Sequence, residues 1–242
     1  MTEEQCSLID AWQAHAREWI AWARRPGFDS YDVFHRDLFL PLVPPPGRLT
    51  VEVGCGEGRV CRDLEARGHR VLAVDLSPAM AQAAATHPDH PVPVVVADAT
   101  VLPLPSASVD CVVSFMAMHD TDDMPAAVAE IGRVLAPGGR LVLAIVHPLN
   151  SAGDFTDTGG EQSGWPYVIT GSYLEPARLH DTFSRDGLTM TFNGEHRPLQ
   201  AYTEALYAAG LLIERLREPT TCEPARPWRR IPLFLHIVAV RP

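Results

Sequence analysis

Glu52-Val53-Gly54-Cys55-Gly56-Glu57-Gly58 stands between an apolar run, Leu49 to Val53, and a segment of helical spacing, Arg59 to Arg67, that Gly68 closes. The reading is a strand, a glycine turn and a helix. Glycine is needed there because the turn must be tight and a ligand must come close to the backbone. The helix that follows offers free N–H groups and a positive dipole end, a seat for an anionic group. The spacing is G-x-G-x-G, and Glu52 lies just ahead of it. Nicotinamide dinucleotide sites share a glycine turn, but with the spacing G-x-G-x-x-G. A carboxylate beside the loop would also repel a pyrophosphate, whereas it suits a ligand carrying positive charge.

Outward from this turn the chain alternates. Arg70 to Val74 is a second strand ending at Asp75, nineteen residues after Gly56. Pro78 sits where proline suits a first helical turn, and that helix runs to about Thr86. Val92 to Ala97 is a third strand ending at Asp98, and Val109 to Phe115 a fourth. A helix from Met124 to Leu135 stops at Pro137-Gly138-Gly139, and a fifth strand, Arg140 to Val146, stops at His147-Pro148. This alternation predicts an α/β fold, a doubly wound and mostly parallel sheet with helices on both faces. Glu52, Asp75 and Asp98 then end three consecutive strands and face the crevice at their carboxyl ends. There Asp75 can accept hydrogen bonds from two ribose hydroxyls. Asp98 is placed to accept from an adenine amino group.

Ahead of the core, Leu8, Trp12, Ala16, Trp19 and Ala23 have the spacing of an amphipathic helix, which Arg25-Pro26-Gly27 ends. Asp29 and Asp32 resemble a capping box that opens a second helix through Leu40. Behind the fifth strand, 150–198 breaks the rhythm. It is rich in Gly, Asp, Thr and aromatics, with short strand-like pieces at Tyr167 to Ile169 and Leu188 to Phe192. A helix from Leu199 to Ala209 and strands at Leu211 to Arg217 and Leu233 to Val240 then read as a reversed edge of the sheet. The expected organisation is a helical cover (1–48), a core (49–149), an inserted lid that supplies an acceptor pocket (150–198) and the closing part of the core sheet (199–242), all one domain.

With 46% hydrophobic and 21% charged residues, the 242-residue chain can bury one sizeable core. The net charge of −10 argues against a nucleic-acid partner. Arg226, Arg229 and Arg230 are interleaved with Pro224, Pro227 and Pro232 and read as a stiffened loop. The chain has no lysine, which excludes Schiff-base or nucleophilic lysine chemistry. Its cysteines, Cys6, Cys55, Cys61, Cys111 and Cys222, include no C-x-x-C pair, so neither a disulfide framework nor a metal site is expected. No signal-like start and no bilayer-length apolar run is present, so the expectation is a cytoplasmic protein without a membrane partner.

VEVGCGEGRV (51–60), VLAVDLSPAM (71–80), VVADATVLPLPSASVDCVVS (95–114) and EIGRVLAPGGRLVLAIVHP (130–148) resemble the class I S-adenosylmethionine (SAM)-dependent methyltransferases of the methyltransferase type 11 group. The resemblance covers about residues 49–148. HRPLQAYTEALYAAGLLIERLREP (196–219) and IPLFLHIVAVRP (231–242) are similar to the closing part of small-molecule members. It implies a Rossmann-like sheet of seven strands with the last antiparallel, SAM as cofactor and S-adenosylhomocysteine as product. It also implies cofactor contacts at Gly54, Gly56, Gly58, Asp75, Leu76, Asp98 and Ala99, with Ser114 near the methionine end and Glu52 beside the cationic groups. Tyr31 and the tryptophans of the first helix would form a cover, with Trp12, Trp19 and Trp22 mostly packing on the sheet.

Methyl transfer from a sulfonium is an in-line displacement, in which orientation alone contributes about 7–11 kcal/mol in favourable cases. A hydroxyl or carboxylic acid acceptor also benefits from a base, for which His is the natural residue near neutral pH. His119, beside Asp120, is the first candidate and His147 the second; His180 and His196 lie in the lid or at its edge. The alternative is that His147-Pro148 only stops a strand and Asp120 caps the next helix. Glu195-His196-Arg197 reads either as a seat for an acidic acceptor or as a surface hinge. The lid holds six of the chain's eighteen aromatic residues, which suits either an apolar acceptor pocket or a small core of its own. Tyr31, Trp165, Tyr173, His196 and Arg197 are the candidate acceptor contacts. The expected reaction methylates a hydroxyl, carboxyl or amine of a small apolar or aromatic metabolite. Two other functions fit the same fold, a non-methylating outcome such as cyclisation and a catalytically silent partner subunit. The intact glycine loop with Asp75 and Asp98 speaks against the silent subunit.

Overall fold

A computed structural model describes residues 7–220 and 227–242. Cys6, Cys222 and Arg226 lie outside the described residues. In chain order the elements are α1 (Leu8–Ala23), a π-helical turn (Tyr31–His35) continuing into α2 (Arg36–Phe39), β1 (Thr50–Val53), α3 (Arg59–Ala66), β2 (Val71–Asp75), α4 (Pro78–Ala85), β3 (Val94–Val96), β4 (Val109–Phe115) and a 3-10 turn (Met118–Asp120). Then follow α5 (Met124–Val134), β5 (Leu135–Val146), α6 (Pro148–Ser151), β6 (Asp154–Phe155), β7 (Tyr167–Val168), β8 (Ala177–Arg185), β9 (Leu188–His196), α7 (Leu199–Ala208), β10 (Leu212–Arg217) and β11 (Phe234–Val240).

Seven strands form one sheet in the order β10-β11-β5-β4-β1-β2-β3. β1 pairs in parallel with β2 and β4, and β11 is antiparallel to both β5 and β10. The reversed strand therefore lies inside the sheet, and β10 forms the edge. β1 is buried at every position, as a near-continuous apolar run requires when both faces of a parallel sheet are covered. Helices α5 and α7 cover one face over a core that includes Ile131, Leu135, Leu141 and Leu206. The other face is closed by α3 and the segment Tyr31–Leu40, with Phe39, Leu64 and Val113 fully buried. Cys55, Cys61 and Cys111 are free thiols within these layers.

Residues 150–198 stand apart from the sheet order and pair among themselves. β6 pairs with β7, and β8 with β9 over nine residues each. The second hairpin is longer than the strand-like pieces the sequence suggested. Its two-residue loop is Asp186-Gly187, both at positive φ (47° and 79°), the geometry that matches strand twist. α1 lies along β9 rather than on the sheet: Trp12 Nε1 donates to the Asn193 carbonyl at 2.9 Å, and Trp19 and Trp22 meet Phe192 edge-on. The start of α1 is seated on Asp122, whose carboxylate accepts from the Leu8 amide at 3.2 Å, a stabilising charge at a helix N-terminus. The expected capping box at Asp29 and Asp32 opens no regular helix. Asp29 accepts from the Tyr31 amide at 2.9 Å, and the chain enters the π-helical turn instead.

Candidate active site

A single cavity of about 1020 Å³ runs along the carboxyl ends of the parallel strands, roofed by α1 and the β8–β9 hairpin. Ligand pockets commonly measure about 300–1,000 Å³, so there is room for a cofactor and a second molecule. The glycine turn forms one end. Gly54, Gly56 and Gly58 all adopt positive φ, and a Cβ on Gly54 would stand 2.3 Å from the Ala117 Cβ. That close approach, with the left-handed backbone, is why glycine is required. Glu52, Gly54, Gly56, Asp75, Leu76, Asp98 and Ala99 all line the cavity.

Asp75 accepts from the Gly56 amide at 2.7 Å through one oxygen and from the Ser77 amide at 2.9 Å through the other. Each oxygen keeps a further acceptor site, enough for two neighbouring hydroxyls. Burial pushes its carboxyl up to about 6 against those two amides. Asp98 accepts through Oδ1 from the Thr100 amide and hydroxyl, both at 2.8 Å. Glu52 is buried and receives the Cys61 thiol at 2.7 Å. Burial pushes the Glu52 carboxyl up to about 8. The donor set fits a nucleoside with a cationic tail: a glycine cradle, two carboxylates for sugar and base, and one buried acid.

The roof is tied to this cradle by ion pairs the sequence did not announce. Glu57, itself buried, pairs with Arg24, the residue that caps α1, at 3.1 Å and with Arg62 of α3 at 2.6 Å. Arg59 pairs with Asp29 and lies over the rings of Trp19 and Tyr31 at 5.0 and 4.9 Å. A cation in the first turn of α3 opposes the helix dipole, and that conflict was the one signal that Arg59 serves the site. Met116, at φ 55°, follows β4 in a left-handed conformation rare for its residue type and lines the cavity.

The far half of the cavity holds His119 and Asp120 from the 3-10 turn, Asp154 from β6, and Leu179, Asp181 and Phe183 from alternate positions of β8. His119 Nε2 lies 3.4 Å from Asp120 Oδ1, and its buried Nδ1 has no partner among the described residues. Burial, then the charge of Arg197, lowers the imidazole to about 3, while burial raises the Asp120 carboxyl above its ordinary range. Both groups thus favour their neutral forms. Gly194 makes room for the pair, since a Cβ there would meet Asp120 Oδ1 at 3.0 Å. Asp123, not Asp120, caps α5, its side chain accepting from the Ala126 amide at 3.0 Å.

Several expected site residues lie off this cavity. Gly58 shapes the turn without lining the cavity. Ser114 stays inside the sheet because β4 continues through Phe115, and its hydroxyl donates to the Val53 carbonyl at 3.1 Å. His147 caps α6 through Nδ1, which accepts from the Leu149 amide at 3.0 Å, and its Nε2 meets Glu218 at 3.0 Å. Tyr31 is buried, donating to Asp63 at 2.7 Å. Tyr173 caps α7 by accepting from the Leu199 amide at 3.1 Å, and Trp165 gives its carbonyl to Arg230. His196 spends both ring nitrogens, on the Ser151 hydroxyl at 2.7 Å and the Tyr173 carbonyl at 2.9 Å. Arg197 is buried behind the 3-10 turn, pairs with Glu195, and donates to the carbonyls of Met118, Thr121 and Asp122. It braces the loop that carries His119. His180 Nδ1 engages Asn193 Oδ1 at 2.9 Å. In the other direction, Trp12, Trp19 and Trp22 line the cavity.

The strand order and this donor set define a nucleoside-binding methyltransferase fold. Residues 51–143 match a family model described as a methyltransferase domain. Over those residues the chain carries a class I SAM-dependent methyltransferase domain. In sequence it is similar to malonyl-(acyl-carrier protein) O-methyltransferase of Serratia marcescens, 34% identical over 148 residues, which are 57% of this chain and 54% of that protein. The chain thus spans about half the length of that relative. In structure it is similar to a SAM-dependent methyltransferase from Mesorhizobium loti, with a TM-score of 0.66 and 29% identity over 86% of this chain and 97% of that one. The cyclase SpnF shares the fold alone, with a TM-score of 0.64 and 16% identity over 98% of this chain and 97% of that one. No described helix is long and apolar enough to cross a membrane.

Proposed function

We propose that the protein transfers the methyl group of SAM to an oxygen or nitrogen of a small apolar or aromatic acceptor held beneath the β8–β9 hairpin. The observation that carries this reading is the continuity of the cavity. Gly54, Gly56, Glu52, Asp75, Asp98 and His119 line one space, with Trp19 closing over Gly56 and Phe192 beside it. When bound, the cofactor supplies a methyl group already activated on a sulfonium sulfur. Glu52 would meet its ammonium, Asp75 the ribose hydroxyls and Asp98 the adenine amino group. The roof of Trp12, Trp19, Trp22 and Phe192 excludes water and orients the acceptor. His119, neutral because burial disfavours its charged form, offers a ring nitrogen to the acceptor's polar atom. So low a proton affinity makes it an orienting hydrogen-bond partner first and a proton acceptor second. The malonyl-(acyl-carrier protein) O-methyltransferase likeness supports oxygen as one acceptor atom.

Three measurements test this reading. Calorimetry should show SAM and S-adenosylhomocysteine binding with no NAD binding; preferential NAD binding would overturn the proposal. Cell extracts incubated with the enzyme and methyl-labelled SAM should yield a labelled small molecule by mass spectrometry. His119→Ala should lower kcat by roughly 10²-fold for a hydroxyl acceptor while cofactor affinity stays nearly intact.

A further inference from the structure

The far half of the cavity also specifies the charge of what it takes, an inference that rests on the methyl-transfer reading above. Asp154 and Asp181 bring carboxyl groups to this half beside the neutral Asp120, and the whole lining holds two guanidiniums, Arg59 and Arg185. Of the two, only Arg59 has its charge paired by a lining carboxylate. Arg59 is paired with Asp29. Arg185 donates to the Gly27 carbonyl at 2.9 Å and lies over the Phe28 ring at 4.8 Å. The chain has no lysine to add. A carboxylate or phosphate brought into this half would meet Asp154 and Asp181, with Arg185, held at Gly27 and Phe28, the one lining guanidinium not paired with a lining carboxylate.

Asp181 has the setting of a cation receptor. Strand alternation puts Leu179, Asp181 and Phe183 on the cavity face, and the register sets Asp181 directly opposite Phe192. Phe192 in turn meets Phe183, Trp19 and Trp22 edge-on, with ring centroids 5.8, 5.9 and 6.1 Å apart. A carboxylate framed by aromatic rings attracts an ammonium group both by charge and by the ring quadrupoles. Asp154 faces the same volume, and its charge adds to burial in raising the Asp181 carboxyl above its usual range. Two like charges sharing one volume are relieved by a cation placed between them. A second and independent mark of a ligand lies in the same half. His119 is 8% exposed, lines the cavity and leaves Nδ1 buried without a partner among the described residues.

We propose that the methyl acceptor carries a protonated nitrogen on an apolar or aromatic body, and that Asp181 and Asp154 bind that nitrogen. While it is held as a cation it has no lone pair, so it is the handle by which the acceptor is gripped. The methyl group goes to another atom, the one presented to His119.

The experiment uses the full chain loaded with S-adenosylhomocysteine and three probes of one shape: 2-phenylethylamine, 2-phenylethanol and phenylacetate, titrated at neutral pH by ligand-observed NMR. The amine should bind about tenfold more tightly than the alcohol, and phenylacetate most weakly. Asp181→Asn and Asp154→Asn should each cut the amine's affinity by about threefold or more while S-adenosylhomocysteine affinity holds. Phenylacetate binding as tightly as the amine would overturn the proposal. So would an amine affinity unchanged in Asp181→Asn, or binding by none of the probes. Each of those outcomes leaves the methyl-transfer reading standing, whereas failure of S-adenosylhomocysteine to bind would remove both.

Discussion

Glu52 shows how one residue type at one position can serve a charged ligand by being uncharged before the ligand arrives. Its carboxyl, pushed up to about 8 by burial, holds its proton at neutral pH in the ligand-free protein. A cation placed beside it favours the carboxylate and lowers that value. Cofactor binding should therefore release a proton, and affinity should rise with pH up to about 8 and then level off. Because the cofactor's own amine titrates nearby, the measurement compares wild type with Glu52→Gln. Calorimetry in buffers of different ionisation enthalpy should show proton release in the wild type and little in the variant, with affinity weakened by about 1.5–3 kcal/mol. Equal proton release in both would refute the assignment. Gly54 makes the complementary steric case. Gly54→Ala should cost about 2–4 kcal/mol of stability, from the positive φ and from the clash with Ala117. Ala117→Gly should restore the part due to the clash, and thermal melting of the single and double variants separates the two contributions.

Secondary-structure elements divide into those whose pattern is local and those whose role is set by a neighbour. The strand ends at Glu52, Asp75 and Asp98 were readable because each is punctuated by glycine or proline within a few residues. The β8–β9 hairpin was only half read, although Asp186-Gly187 is a strong turn signal. Its strand β8 is exposed at nearly every position, so it lacks the apolar alternation that marks a strand. The roles of Tyr173, His196 and Arg197 were not readable at all, because each side chain serves a backbone group on a segment distant in sequence. β8 is exposed at nearly every position and holds mainly to β9, so the outer edge of the hairpin should open more readily than the sheet. Limited proteolysis should cut within 156–176 or at the hairpin, and S-adenosylhomocysteine with an acceptor should slow that cleavage. Equal rates with and without ligands would show that this roof is as rigid as the core.

Across the whole molecule, the alternation of strand and helix was enough to anticipate the sheet, while the closure of the chain's two ends on one another was not. That closure runs through a pair of buried histidines 201 residues apart, His35 of the π-helical turn and His236 of β11, with Nδ1 and Nε2 at 3.0 Å. Phe34, Phe39, Phe115 and Phe234 surround them. Neither histidine carried a periodic or motif signal, since their partnership exists only once β11 has slotted between β5 and β10. Burial lowers His236 to about 4, with Arg217 adding to the effect, and lowers His35 to about 2, with His236 and Arg59 adding. The sign follows from the unfolded value near 6.5. The unfolded chain takes up protons as pH falls below 6.5 while the folded pair resists, so the folded state loses ground. The pair's contribution to stability should therefore be full above pH 6.5 and decline between there and about 4, by roughly 3 kcal/mol for His236 alone. The raised carboxyls of Glu52 and Asp75 act in the opposite sense, with or without the pair. The double variant His35→Phe/His236→Leu, apolar on both sides and leaving no orphaned nitrogen, should flatten most of that decline. His119 titrates in the same direction and is untouched, so a shallower acid limb should persist. Urea denaturation of wild type and double variant at pH 7.5, 6, 5 and 4 measures the difference, and parallel pH curves would show that the pair does not set the acid sensitivity of the fold.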